Sequence, residues 1–321
     1  MLPQMSMQLR EYEMVLAHTP VLLDELLELL RPAKGETAID CTFGAGGHAE
    51  AVAAQLGARG RLIAVDRDPS VAEYFRDVMR AAPCACELYH GNFAEVLAEQ
   101  EDASADIVYM DLGVSSMQLD RRERGFSYAY DAPLDMRMDP ELQVTAADLV
   151  NTLPEDELID IFRRYGEERY AKSIAHGIIL TRKKRPFATT CELVEVIKRN
   201  LPTPARFGAG NPARRVFQAL RIVVNDELQS LARGLEEAYR VLRPGGRLAA
   251  MSFHSLEDRM VKEFFKGHAA GCICPPGLPQ CVCGHEPTLR VLTRRPVTPR
   301  AREVEVNPRS KSAKLRVAVK L

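Results

Sequence analysis

The chain has 321 residues, 46% hydrophobic and 27% charged, which is the balance of a folded globular protein large enough for one or two domains. Its net charge is −1, so it is no polycation, and any nucleic-acid surface on it has to be local. The first eighteen residues lack an apolar core of signal-peptide type, and no stretch is apolar for long enough to span a bilayer. With no secretory signal, the eight cysteines are expected as reduced thiols in the cytoplasm.

In chain order, HTPVLLDELLELLRP reads as a helix with Thr19 as N-cap, Pro20 at the first helical position and Pro32 after its end. TAIDCTF is a short apolar strand. It runs into the glycine cluster Gly44, Gly46 and Gly47 and then the helix HAEAVAAQLG. RLIAVDRDP is a second strand whose apolar run stops at Asp66, VAEYFRDVMRAA a helix, CELYHGNF a third strand and ADIVYMDLGVSS a fourth. This alternation predicts a parallel sheet with helical crossovers. From residue 119 to residue 221 helical segments take over, among them EDELIDIFRRYG and CELVEVIKRNL. ELQSLARGLEEAYRVLRPGG then reads as a helix stopped by Pro244, Gly245 and Gly246. GRLAAMSFHS is a fifth strand, and the alternating KLRVAVKL a late one. The expected organisation is an α/β nucleotide-binding domain in two parts, 1–118 and 222–321, with an all-helical domain, 119–221, inserted between them.

The glycine turn sits where open α/β sheets bind ligands. Gly44, Gly46 and Ala49 fit the dinucleotide fingerprint. Asp66, twenty residues beyond Gly46 at the end of the next strand, is placed to take ribose hydroxyls. NAD and S-adenosylmethionine both fit that half-site. Asp111, ending strand four at the same edge, suits a sulfonium or an amine better than a phosphate. His48 is placed either to bond a ligand carboxylate or to face solvent at the helix start.

HTPVLLDE, DCTFGAGGH, AVDRDP, DLGVSSMQLD, RGFSY, PLDMRMD, YGEERYAKSIA, RVFQALRIVVNDEL, LRPGGRLAAMSFHSLEDRMVK and NPRSKSAKLR follow one another across almost the whole chain. In this series the sequence resembles the ribosomal RNA small subunit methyltransferase H family, also called MraW. The resemblance implies a Rossmann-like S-adenosylmethionine-dependent methyltransferase domain with an inserted helical domain. It implies methylation at N4 of a cytidine in the decoding region of small-subunit ribosomal RNA. It also implies that Gly46, Gly47 and His48 contact the methionine part of the cofactor, Asp66 the ribose and Phe93 the adenine, with Asp111 and Gln118 completing the pocket.

For catalysis, Asp111 or a backbone carbonyl of Leu112 or Gly113 could accept a hydrogen bond from the reacting amine. His254 could relay the proton, or serve as a structural residue. RNA-binding composition is concentrated in residues 289–321, with a local charge of +8, in TRKKRPF, in NPARR, and in RRERGFSYAYD, where arginines alternate with Phe126, Tyr128 and Tyr130. Cys272, Cys274, Cys281 and Cys283 could form a zinc loop or remain reduced thiols, so no metal site is assigned. A homodimer stays open. Two other classes are weighed against the enzyme. A non-catalytic RNA-binding factor would not need Gly46, Asp66 and Asp111. An NAD oxidoreductase would not need the basic stretches.

Overall fold

The computed structural model describes residues 20–206, 211, 213–271, 274 and 282–321. The chain folds as two compact units. One holds the residues up to Gly113 together with Ser230–Leu321, and the other is Val114–Gln229.

In the first unit, α1 (Leu23–Leu30) leads into β1 (Thr37–Asp40), α2 (Gly47–Leu56), β2 (Arg61–Asp66), α3 (Val71–Met79), β3 (Ala85–His90), α4 (Phe93–Ala98) and β4 (Ala105–Asp111). The helical unit carries α5 (Ser116–Asp120), a 3₁₀ turn at Arg122–Arg124, α6 (Ala146–Thr152), α7 (Glu155–Arg164), α8 (Ala171–Arg182), α9 (Thr190–Arg199), α10 (Thr203–Arg206) and α11 (Arg214–Val224). Then come α12 (Glu227–Val241), β5 (Leu242–Ser252), α13 (Ser255–His268), β6 (Leu289–Val291), α14 (Ala301–Val306) and β7 (Lys314–Lys320).

The seven strands form one sheet in the order β3-β2-β1-β4-β5-β7-β6. β1 to β5 run parallel, and β7 is antiparallel to both its neighbours. This is the doubly wound α/β arrangement expected, Rossmann-like on the β3-to-β5 side. Its central strands are apolar runs buried on both faces, as a parallel sheet requires, with Ile39, Leu62, Val65, Ile107 and Val108 essentially inaccessible. The helical unit has a core of its own, built on Leu158, Phe162, Ile174, Ile178, Leu193, Ile197, Val216 and Leu220.

Several boundaries differ from the sequence reading. His18 and Thr19 lie outside the described residues, and α1 starts only at Leu23. Leu22 precedes it in a left-handed conformation (φ 52°), its side chain buried and its N–H held by Glu303 Oε1 at 2.9 Å. Pro244-Gly245-Gly246 does not end a helix. α12 stops at Val241, and the three residues form a bulge inside β5, between the pairs Ala105–Leu242 and Ile107–Arg247. Gly245 supplies the positive φ of 82° that the bulge needs. β4 ends at Asp111 rather than Ser116, because Ser115 caps α5 instead.

The 221/222 boundary falls inside α11, and the compact helical unit runs from Val114 to Gln229. Val216, Leu220 and Val224 on α11 are buried in the helical core, so the helix stays with that unit. Asn225 ends it, its amide donating to the Met136 carbonyl and its Oδ1 accepting from the Met138 N–H, and Arg221 forms a forked pair with Glu227 at 2.7 and 2.8 Å.

Candidate active site

Three aspartates stand at the carboxyl ends of three adjacent strands: Asp66 on β2, Asp40 on β1 and Asp111 on β4. β1 pairs with β2 on one side and β4 on the other, so this edge is the switch point where a crevice opens.

The glycine turn lies across it. Phe43 N–H bonds the Val65 carbonyl and Gly46 N–H the Phe43 carbonyl, which closes the turn against β2. Gly46 has φ 83°, and a β-carbon there would stand 2.6 Å from Phe43 Cζ. At Gly47 it would run into the Pro20 ring. Both positions are thus restricted to glycine by space, and Gly46 by conformation as well. α2 begins at Gly47, so its first N–H groups have no intrahelical acceptor and present the positive end of the helix to this edge.

Asp66 ties the turn to the sheet. Its Oδ2 accepts from the Gly44 N–H at 2.8 Å and its Oδ1 from the Asp68 N–H at 2.9 Å. Burial raises its pKa, and the two backbone N–H bonds only partly oppose this.

His48 does not face solvent. Its ring is buried, with Nε2 2.9 Å from the Val21 carbonyl. A carbonyl only accepts, so Nε2 carries the proton. Burial lowers the pKa and favours the neutral ring. Nδ1 then has no proton to give. The donor His48 offers a carboxylate is its backbone N–H, not its side chain. Nδ1 lies 3.7 Å from Asp111 Oδ2.

The Asp111 backbone is fixed by its N–H to Thr42 Oγ1 at 2.6 Å, and Thr42 N–H is in turn held by Asp40 Oδ1 at 2.9 Å. The Asp111 carboxyl is different. Oδ1 is buried with no hydrogen-bond partner among the described residues. Burial, with the nearby charge of Glu257, pushes its pKa up to about 7. A buried acceptor left open costs stability, so such an oxygen marks a place for a ligand or a cation.

Asp40 was not singled out in the sequence. It is the most buried of the three aspartates, at 1% exposure, and burial raises it to about 7 against the pull of Thr42, His48 and Tyr109. Its signal was there to read: an acid ending the apolar run of β1, as Asp66 and Asp111 end theirs. Because the folded pKa lies above the ordinary 3.8, Asp40 favours folding below about pH 4, and this contribution is lost as pH rises to about 7. Asp40→Asn is therefore expected to be about 1–4 kcal/mol more stable than wild type at about pH 8 and nearly equal to it at about pH 3.5. Urea unfolding at the two pH values measures this. A difference independent of pH would refute the assignment.

The remaining expected residues are placed less simply. Phe93 follows the end of β3 but is mostly buried, its ring packed on Gly234 of α12, where any β-carbon would collide with it. One edge at most is left for a base. Gln118 belongs to the helical unit. Its Oε1 accepts from the Ser115 N–H at 3.1 Å in a capping box. His254 caps α13: Nδ1 accepts from the Glu257 N–H at 3.4 Å, and Nε2 stands 3.0 Å from Glu257 Oε1 without the alignment of a hydrogen bond. Glu257 Oε2 in turn accepts from the Phe253 N–H at 2.8 Å. That geometry gives His254 a structural duty beside any catalytic one. Of the four clustered cysteines, Cys272 and Cys281 lie outside the described residues.

Residues 15–321 match the MraW methylase family. Among curated proteins, the chain is 51% identical over 312 residues to the ribosomal RNA small subunit methyltransferase H of Symbiobacterium thermophilum, covering 96% of this chain and 98% of that one. It is 46% identical to the protein of the same name from Heliobacterium modesticaldum, covering 96% and 100%, and 49% identical to that from Citrifermentans bemidjiense, covering 95% and 98%.

Proposed function

The chain belongs to the MraW methylase family, and from that premise we propose that it methylates small-subunit ribosomal RNA with S-adenosylmethionine, at N4 of a cytidine in the decoding region, in the cytoplasm. The observation that carries the cofactor reading is the open, buried Asp111 Oδ1 beside a glycine cradle and the Asp66 carboxylate. A sulfonium needs a nearby negative or polar group and tolerates no close cation. A ribose needs paired acceptors, and a carboxylate needs free N–H groups. β4, β2 and α2 supply these in that order.

S-adenosylmethionine supplies an electrophilic methyl group when bound. The protein's part is to hold and orient. Asp66 accepts from the ribose hydroxyls while its backbone bonds keep the turn shut. The first N–H groups of α2, including that of His48, receive the amino-acid carboxylate. Asp111 faces the reacting region with one oxygen uncommitted. Cytosine N4 is a poor nucleophile because its lone pair is shared with the ring. An acceptor on its N–H stabilises the charge that develops on nitrogen and aligns the amine for attack. Asp111 is assigned that duty. The amine is unreachable within a paired helix, so the target nucleotide has to be single-stranded or extruded. The helical unit is assigned to holding the RNA, on the strength of its arginine-rich segments.

The test is methyl transfer from labelled S-adenosylmethionine to small ribosomal subunits lacking the modification, followed by nucleoside mass analysis. N4-methylcytidine is expected. A labelled nucleoside of another kind would overturn the target, and cofactor binding without any labelled RNA would overturn the substrate class.

A further inference from the structure

The segment Arg121–Asp131 alternates arginines with aromatic rings, and the structure sorts them into two sets. Phe126 is buried in the helical core, and the Tyr128 ring meets Phe217 edge-on at 5.7 Å. Arg124 is turned inward, donating to the carbonyls of Arg137 and Met138 at 2.9 and 2.7 Å. These residues hold the fold of the unit. Tyr130 is left outside, 45% exposed, with the Arg122 guanidinium stacked 4.2 Å from its ring centre.

The stack sits on rigid backbone. The Tyr130 carbonyl accepts from the Thr190 hydroxyl at 2.6 Å, and Thr190 Oγ1 in turn accepts from the Ala132 N–H at 3.1 Å. Thr190 N–H bonds the Ala132 carbonyl at 2.9 Å, and Leu134 N–H the Ala188 carbonyl at 3.0 Å. The ring is thereby pinned to the start of α9. Just before α9 lie Lys183, Lys184 and Arg185, all exposed. Arg185 is paired with Glu192 at 2.7 Å, whereas Lys183 and Lys184 have no ion pair among the described residues. Lys184 is four residues from Ala188, a step of at most about 14 Å.

An exposed, backbone-anchored tyrosine with an arginine plane over it, and two exposed lysines, without ion pairs among the described residues, in the turn that leads into its anchoring helix, match what an unstacked base and its flanking phosphates require. A buried core role is excluded by the exposure. A plain solvated face has no use for an anchored aromatic ring. We propose that the Arg122–Tyr130 stack is a nucleobase platform for an unpaired base of the RNA substrate, with Lys183 and Lys184 taking neighbouring phosphates. This rests on the RNA reading above and adds to it the residues that grip the RNA.

The test compares full-length wild type with Tyr130→Ala, Tyr130→Phe, Arg122→Ala and the double change Lys183→Glu, Lys184→Glu. KM and kcat are measured on unmethylated small subunits, binding to a naked single-stranded RNA segment of the target region, and cofactor affinity separately. Tyr130→Ala is expected to raise KM and weaken RNA binding about tenfold, with cofactor affinity unchanged, as loss of one stacked base predicts. Tyr130→Phe keeps the ring face and should stay within about twofold of wild type, since stacking needs only the π surface. The lysine changes should flatten the salt dependence of RNA binding by up to about 1.4 log units per log unit of salt.

Wild type that labels the RNA, together with a Tyr130→Ala variant of unchanged KM, would overturn the platform and leave the function standing. Wild type that labels no small-subunit RNA would instead remove the function on which the platform rests. A defect on assembled subunits with none on naked RNA would place a protein partner on the patch and overturn the RNA assignment. A Tyr130→Phe variant as impaired as Tyr130→Ala would show the hydroxyl, not the ring, in use, with the same consequence.

Discussion

Asp66→Ala is expected to raise the Kd for S-adenosylmethionine by about 10²–10⁴, since the carboxylate would give up charge-assisted hydrogen bonds to the ribose hydroxyls, each worth about 1.5–3 kcal/mol. The substitution has a second effect. The Gly44 and Asp68 N–H groups lose their acceptors, and the glycine turn keeps only its Phe43–Val65 backbone bond to β2. Part of the loss should therefore appear in the apo protein as a lower Tm. Asp66→Asn keeps one carbonyl oxygen and should fall between the two. Titration calorimetry with the cofactor decides the matter. An Asp66→Ala protein that binds within about threefold of wild type would contradict the ribose assignment, because a single charge-assisted bond is already worth more than that.

The second large effect concerns Asp111. Asp111→Ala is expected to lower kcat by about 10²–10³, the cost usually found when a polar group that stabilises transition-state charge is removed. Asp111→Asn separates the charge from the shape. It keeps an acceptor for the amine but gives up the negative charge facing the sulfonium. The pH dependence follows from the carboxyl pKa of about 7. Only the ionised form favours a cationic ligand, and below pH 7 that form declines tenfold per pH unit. Cofactor affinity in wild type should thus fall several-fold between pH 8 and pH 6, and in Asp111→Asn it should be flat through that window. Wild-type affinity that holds constant from pH 8 to pH 6 would show that Asp111 is not the group facing the cation.

The three-aspartate edge also accounts for the order in which the site is built. Asp40 holds Thr42, Thr42 holds the Asp111 backbone, and Asp66 holds Gly44. The first tie shapes the turn after β1 and the other two join that turn to β4 and β2, so the crevice is set by the sheet before any ligand arrives. Such preorganisation leaves little reorganisation for the reaction step. The same logic separates the exposed Arg122–Tyr130 stack from its buried neighbours. Arg124, Phe126 and Tyr128 spend their polar and aromatic groups inside the unit, whereas Arg122 and Tyr130 stack on its outside.

Much of this was legible in residues 37–66 alone. Strand, glycine turn, helix, strand and terminal acid are local signals carried by windows of a dozen residues or fewer: apolar runs, a positive φ that only glycine accepts cheaply, and an acid where the run stops. The long series of motifs identified the family and with it the reaction. Other features depended on residues far apart in the chain. β6 has three residues and becomes a strand only because β7 lies beside it. The end of the helical unit was placed at residue 221, inside α11, because no local signal shows which core that helix joins, and only burial assigns α11 to the helical core. The Pro-Gly-Gly of β5 resembles a helix stop until the partner residues Ala105 and Ile107 turn it into a bulge. His48 and Phe93 carry the right chemistry in the sequence, but their partners, the Val21 carbonyl and Gly234, lie 27 and 141 residues away. The sequence by itself determined the local conformations and the chemical types of the site residues, because those depend on near neighbours. Burial, tautomer, pKa and exposure were decided only by the tertiary structure, because each depends on what distant segments place against a side chain and how much water they leave around it.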